Sequence, residues 1–339
     1  MEERVRVAIA CQGGGSHTAF TAGALKRLLA DERYEVVALS GTSGGAICAL
    51  LAWYALLEDG GAERAAELLD SFWRDNSARG LLDAFWNEWF LWINRSQGSF
   101  VLPAVSPYDT PTSDWAQNRL REMLTDRVEF GKIQDLIKDS SPMLLIGAVD
   151  VLSGQFKAFS SRRDEITAEM ILASTALPTL FKAVHVDGGV YWDGLFSQNP
   201  PIRELPRAKP DEIWVLQIDP KKRAEEPKSM TDILDRRNEL AGNISLYQEI
   251  HFVKKMNHLV KKLGDPEVSP KERTLLVPGD DGEEDREYRH IDIRWIKMSM
   301  PLDFASKLDR SPYFIQELMD YGERRAESFL EQRPTVRSA

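Results

Sequence analysis

The chain has 339 residues, of which 43% are hydrophobic and 28% charged, and its net charge is −10. That length suits one large α/β domain with a sizeable core, and the acidic balance argues against nucleic acid as a partner while local basic runs leave room for contact with a membrane surface. Cys11 and Cys48 are the only cysteines; they form neither a disulfide framework nor a metal-ligand spacing and read as small core residues of a reducing compartment.

In chain order, "RVRVAIAC" (4–11) reads as a buried first strand, since its apolar run is too short for a signal peptide. "QGGGS" (12–16) is a Gly-rich loop, and 17–30 is a helix. "EVVAL" (35–39) is a second strand, followed by the sharp turn "SGTSGG" and a helix over 46–58. Residues 40–57 lack charge but open on a Gly/Ser/Thr turn, so a buried helix is expected there and not a membrane span. Strand–loop–helix repeated twice implies a parallel sheet covered on both faces.

A helix is expected over 62–76, then an aromatic stretch, "LLDAFWNEWFLWINRSQGSFVLP" (81–103), with Phe85, Trp86, Trp89, Phe90 and Trp92. This stretch reads as an acyl pocket, an interfacial patch or a helix packed on the sheet. A helix over 113–125 precedes a strand at 142–151 and its hairpin partner at 154–160. The helix 167–177 ends at Pro178, and Asp187-Gly188-Gly189 reads as a hairpin turn. Residues 212–218 form another strand. A long amphipathic helix covers 231–263, with Lys254, Lys255, Lys261 and Lys262 as a solvated face or a contact for anionic lipid. The acidic loop 278–287 does not fit a calcium-binding loop and reads as solvated surface. A strand over 290–298 and a helix over 311–330 close the chain.

"GTSGG", Gly41 to Gly45, satisfies G-x-S-x-G between a strand and a helix. Glycines on either side let the backbone crowd in, and Ser43 is lifted over a helix N-terminus that favours an anion. A Ser/Gly helix cap is the plain alternative. In "QGGGSHT" (12–18), successive backbone N–H groups could converge on a phosphate or an oxyanion, or simply make a tight turn. The dinucleotide fingerprint fails at Thr18, and no Walker lysine follows. With a candidate nucleophile close by, an oxyanion hole at Gly13, Gly14, Gly15 and Ser16 is the better reading.

A nucleophilic Ser43 needs a base. None of His17, His185, His251, His258 and His290 sits in a recognisable motif. An order of Ser43, Asp193 and one of the last three histidines can be written, but the α/β-hydrolase fold places its nucleophile after several strands. A carboxylate acting alone is the other arrangement to look for.

"GGGSHTAFTAGAL", "GTSGG" and "ASTALPTLFKAVHVDGGVYWDGLFSQNPP" occur in this order, with "SPYD" (106–109) and "GAVDVLSGQFKAF" (147–159) between the last two. Together they resemble the patatin-like phospholipases, over most of residues 1–220. The resemblance implies a three-layer α/β/α fold with a mainly parallel central sheet. It implies a serine hydrolase of lipid acyl esters, of phospholipase A or lysophospholipase type, that uses a Ser-Asp dyad without metal or cofactor. The family's catalytic Asp-Gly follows the hairpin with Asn six residues later; Asp193 meets this with Asn199, whereas Asp187 sits in the hairpin turn. The dyad expected is Ser43 and Asp193, with the oxyanion held by N–H groups of the Gly-rich loop and of Gly44. The family's basic residue and glycine after that loop are His17 and Thr18 here; a threonine would limit positive φ, and His17 either orients the loop or is a solvated helix-start residue.

The organisation expected is a catalytic core over 1–220 with an insertion at about 77–112, and an extension over 221–335 packed on it. A carboxylesterase or polyester hydrolase is the alternative enzyme, and a non-catalytic scaffold for an anionic ligand the alternative of another class. The partners expected are a lipid or other ester and peripheral contact with a membrane; the location expected is cytoplasmic.

Overall fold

Alternation builds the sheet. In β1 (Val5–Cys11), Val7, Ile9 and Cys11 face one core and Ala8 and Ala10 the other, the period of two that a strand imposes. The structure, a computed structural model, describes residues 4–80, 106–178, 180–223, 225–265, 267–269, 273–277, 286–300, 302 and 305–333. The aromatic stretch with Phe85, Trp86, Trp89, Phe90 and Trp92 lies outside the described residues, as does most of the acidic loop.

The elements after β1 are α1 (Ala19–Leu29), β2 (Tyr34–Thr42), α2 (Gly44–Leu57), α3 (Gly61–Asn76), α4 (Pro111–Thr125), α5 (Ile133–Leu136), β3 (Met143–Asp150), β4 (Phe156–Ser160), α6 (Ala168–Thr175), β5 (Val184–Val186), β6 (Gly189–Asp193), β7 (Glu212–Gln217), α7 (Met230–Leu263), β8 (Thr274–Val277), β9 (Arg286–Arg289), β10 (Asp292–Lys297) and α8 (Pro312–Glu331). The main sheet runs β10-β7-β1-β2-β3-β6-β5, with β4 also on β3. β10, β7, β1, β2 and β3 are parallel; β4, β6 and β5 join antiparallel.

Each face of the sheet is covered. On one, Val7, Ile9, Leu39, Leu144, Ile146, Trp214 and Leu216 meet α1, α2, α3 and α8. On the other, Ala8, Ala10, Ala38, Leu145, Ile213 and Val215 meet Leu246, Ile250 and Val253 of α7. The result is the expected α/β/α layering. α2 buries all but one of its residues, which is why "GGAICALLAWYALL" carries no charge. Cys11 and Cys48 are buried in this core, and burial pushes the Cys48 thiol up to about 12, so it stays protonated.

The neighbours of β3 position the site. Residues Leu145–Gly147 pair with both β2 and β4, so these flank β3 on opposite sides. Ala148 and Val149 pair with both β4 and β6, so β6 shares the β2 side. β2 ends at Thr42 opposite Gly147, and β6 ends at Asp193 opposite Ala148. Two strands running in opposite directions therefore meet end to end against β3.

One expectation needs correction. The charged loop read over 278–287 gives way to β9 at Arg286, which pairs with β8 in a separate ribbon. Lys209–Glu287 and Arg289–Asp211 ion pairs tie this ribbon to the segment before β7.

Candidate active site

Ser43 follows Thr42 directly, at the junction where β2 and β6 meet. Its backbone has φ 56° and ψ −134°. A non-glycine residue there costs on the order of 1–3 kcal/mol and persists only when its surroundings fix it. The Ser43 N–H donates to both the carbonyl (3.1 Å) and the hydroxyl (3.0 Å) of Ser174, and the Ser174 hydroxyl donates to the Gly147 carbonyl at 2.6 Å. The elbow is also too tight for side chains. A Cβ on Gly41 would lie 2.4 Å from the Gly45 carbonyl oxygen, and one on Gly45 2.3 Å from that of Cys11. Ser43 itself is half-buried and reachable.

Asp193 is 3% exposed. Its N–H donates to the Ala176 carbonyl at 3.0 Å. The end of α6 thus holds both backbones, Ser43 through Ser174 and Asp193 through Ala176. Burial pushes the Asp193 carboxyl up to about 7, opposed by the Leu195 N–H, which donates to Oδ1 at 2.8 Å, and by the neighbouring Ser43 hydroxyl. Asp187, by contrast, is exposed at the tip of the β5–β6 hairpin with φ 46°, followed by Gly188 at φ 82°. Two successive positive φ values are what a two-residue hairpin turn requires.

The Gly-rich loop lies under the elbow. Gly13, expected among the oxyanion donors, is a correction: its N–H donates to Asn199 Oδ1 at 2.7 Å, so Gly13 fastens the loop to the segment after β6. Gly14 is half-buried, Gly15 exposed and Ser16 buried. Gly15, at φ 58°, needs glycine for its conformation, and Gly13 needs it for space, since a Cβ there would lie 2.6 Å from the Thr42 carbonyl oxygen. Thr18 does not, because it sits at φ −72°. Its hydroxyl donates to the Gly15 carbonyl at 2.6 Å. In a planar trans peptide the N–H opposes the C=O, so this bond sets the direction of the Ser16 N–H. His17 is not a solvated residue either; it is 3% exposed, with Nε2 2.7 Å from Ser306 Oγ and its ring edge on Phe314. Gln12 secures the start of the loop, its Oε1 accepting from the N–H groups of Ile218 and Asp219, both at 2.9 Å.

His185, His251 and His258 are exposed, and His290 faces Asp292 at 3.9 Å. Among the described residues no group of three or more His, Cys, Asp or Glu is placed to hold a metal. No described helix is long and apolar enough to cross a membrane.

Ser174 escaped the sequence reading. The signal was present in "ASTALP", whose small residues before a proline mark a helix end that packs closely, but a serine there resembles any helical serine. Asn199 served only as a spacing marker; the structure gives it a bond.

A mostly parallel sheet between helical layers, with a strained serine on a strand–helix elbow above a Gly-rich loop, defines the class: an α/β/α protein with a serine elbow at the end of a central strand. The family model for patatin-like phospholipase matches residues 9–206, more than half of the chain, and the chain belongs to that family. Membership supports lipid acyl hydrolase activity. Among solved structures, the crystal structure of VipD from Legionella pneumophila is similar to it, with 12% sequence identity and a TM-score of 0.45 over 97% of this chain and 67% of that one. None of the curated proteins matches it.

Proposed function

We propose that this protein cleaves lipid acyl esters, as a phospholipase A or lysophospholipase, with Ser43 as nucleophile and Asp193 as its base. The observation that carries the reading is the end-to-end meeting of β2 and β6, which sets a buried carboxyl with a raised pKa against a serine held at positive φ. An ordinary carboxylate is too weak a base for a serine hydroxyl; one raised to about 7 is matched to neutral pH.

Ser43 Oγ attacks the ester carbonyl carbon and its proton passes to Asp193. The oxyanion accepts hydrogen bonds from backbone N–H groups of Gly14, Gly15 and Ser16, joined by Gly44 at the first turn of α2, where the helix leaves N–H groups without an internal partner. Collapse expels the alcohol, which takes the proton from Asp193. Water then attacks the acyl-enzyme and gives a proton to Asp193, which returns it to Ser43 Oγ as the acid leaves. Exposed Phe196, in the turn after Asp193, offers apolar surface for an acyl chain.

The test is hydrolysis of p-nitrophenyl esters and of a phospholipid by the wild type, Ser43→Ala and Asp193→Asn, together with fluorophosphonate labelling of Ser43. Loss in both variants and a label on Ser43 are expected. An active Asp193→Asn, or a wild type that neither turns over nor takes the label, would overturn the reading.

A further inference from the structure

The match to the family ends at residue 206, yet the loop proposed to hold the oxyanion is braced by residues about a hundred positions further on. The turn Ala305–Leu308 seats on the loop at two points. Ser306 Oγ meets His17 Nε2 at 2.7 Å. The Lys307 carbonyl packs so closely on Gly15 that a Cβ there would lie 2.4 Å from its oxygen. The turn is itself fixed from behind: Lys307 Nζ reaches Asp219 at 2.9 Å and Asp235 at 3.1 Å, both carboxylates being buried. Arg223 bridges Asp235 to Glu239, and Arg236 joins Glu239, so the same cluster ties in α7. Asp219 follows Ile218, whose side chain packs against Gly14.

We infer that Ser306 is a positioning residue for ester hydrolysis, acting through His17 on the direction of the oxyanion-binding N–H groups; the inference rests on the reading of the loop given above. The route is short. The Ser306 bond and the edge contact with Phe314 fix the His17 ring, and through it the His17 backbone. The His17 N–H donates to the Gly14 carbonyl at 3.2 Å. That carbonyl shares a planar trans peptide with the Gly15 N–H, which must point the opposite way. Gly15 has no side chain to hold it and sits at φ 58°, so its orientation depends on such outside bonds. A histidine with a serine partner here stands where the family usually carries a basic residue followed by glycine.

The full-length protein with Ser306→Ala, His17→Phe, His17→Gln and the His17→Phe/Ser306→Ala pair tests this. Phenylalanine keeps the edge contact with Phe314 and loses the bond; glutamine can keep a polar atom near Nε2. Misaiming a donor should cost less than removing one outright, so kcat for a p-nitrophenyl ester should fall about tenfold in Ser306→Ala and in His17→Phe with KM within about twofold. Inhibition by an aliphatic trifluoromethyl ketone, whose adduct carries the oxyanion, should weaken by the same factor. His17→Gln should recover most of the loss, and the double variant should be no worse than either single one. Unchanged kcat in both single variants, additive losses, or losses that track a fall in Tm would overturn the inference. Fluorophosphonate labelling separates the two claims. If Ser43 of the wild type takes the label and the variants keep full kcat, the brace alone is wrong; if Ser43 does not take it, the reading of the site fails and the brace falls with it.

Discussion

Asp187 and Asp193 are six residues apart, and each is followed by glycine. Asp187 is exposed at a hairpin tip, at positive φ with Gly188 beside it. Asp193 is buried at φ −48°, closes β6 and bonds the Leu195 N–H. The same dipeptide is in one place a device for reversing the chain and in the other a carboxyl removed from water. What separates them is register: one lies at the free end of the β5–β6 ribbon, the other where β6 abuts β2.

The largest effect should come from exchanging the two acids for amides. Asp193→Asn, like Ser43→Ala, should lower kcat/KM on the order of 10⁴-fold, whereas Asp187→Asn should stay within about twofold of wild type. Parallel loss in both aspartate variants would break the contrast. Next is pH. With the Asp193 carboxyl at about 7, the basic form is lost on acidification, so kcat/KM should fall about tenfold per pH unit below that value and level off above it. Asp187→Asn should leave the profile where it is.

Stability sharpens the contrast further. Asp193 has a folded pKa of about 7 against 3.8 for a free carboxyl, so between these values the folded chain holds a proton that the unfolded chain has released. Stability contributed at this position is therefore present below the lower value and lost as pH rises to the upper one. Asparagine cannot ionise. Asp193→Asn should thus gain on wild type across that window, by up to a few kcal/mol at about 1.4 kcal/mol per unit, and calorimetry at pH 5 and pH 8 should show the gap widening. The smallest effect is at the other turn. Gly188→Ala, at φ 82°, should cost about 1 kcal/mol in urea unfolding and leave kcat unchanged.

Much of this contrast was legible in the residues. Apolar runs gave the strands of the main sheet, and the resemblance to the family, through the six-residue interval to Asn199, is what pointed to Asp193 over Asp187. Other features were not legible, for physical reasons. β8 and β9 form a partly exposed ribbon off the main sheet, so their burial pattern is weak and charges surround it. The N–H of Gly13 looked available because sequence gives a donor but not its acceptor, and Asn199 arrives from across the fold. The two readings of His17, loop-orienting or solvated at a helix start, could not be separated because its cover, Ser306 and Phe314, lies almost three hundred positions away.

The order of the sheet has one more consequence. A polypeptide ending near residue 206 would retain Ser43, Asp193, Asn199 and the whole Gly-rich loop, and so look self-sufficient. It would lack β7 and β10, which pair beyond β1, and α7, which covers Ala8 and Ala10. β1 would become a long bare margin with its N–H and C=O groups unmatched and one flank stripped of cover, the kind of surface that recruits another chain. Excised in that way, the part of the molecule that carries the chemistry should be recovered as aggregate and not as a smaller enzyme.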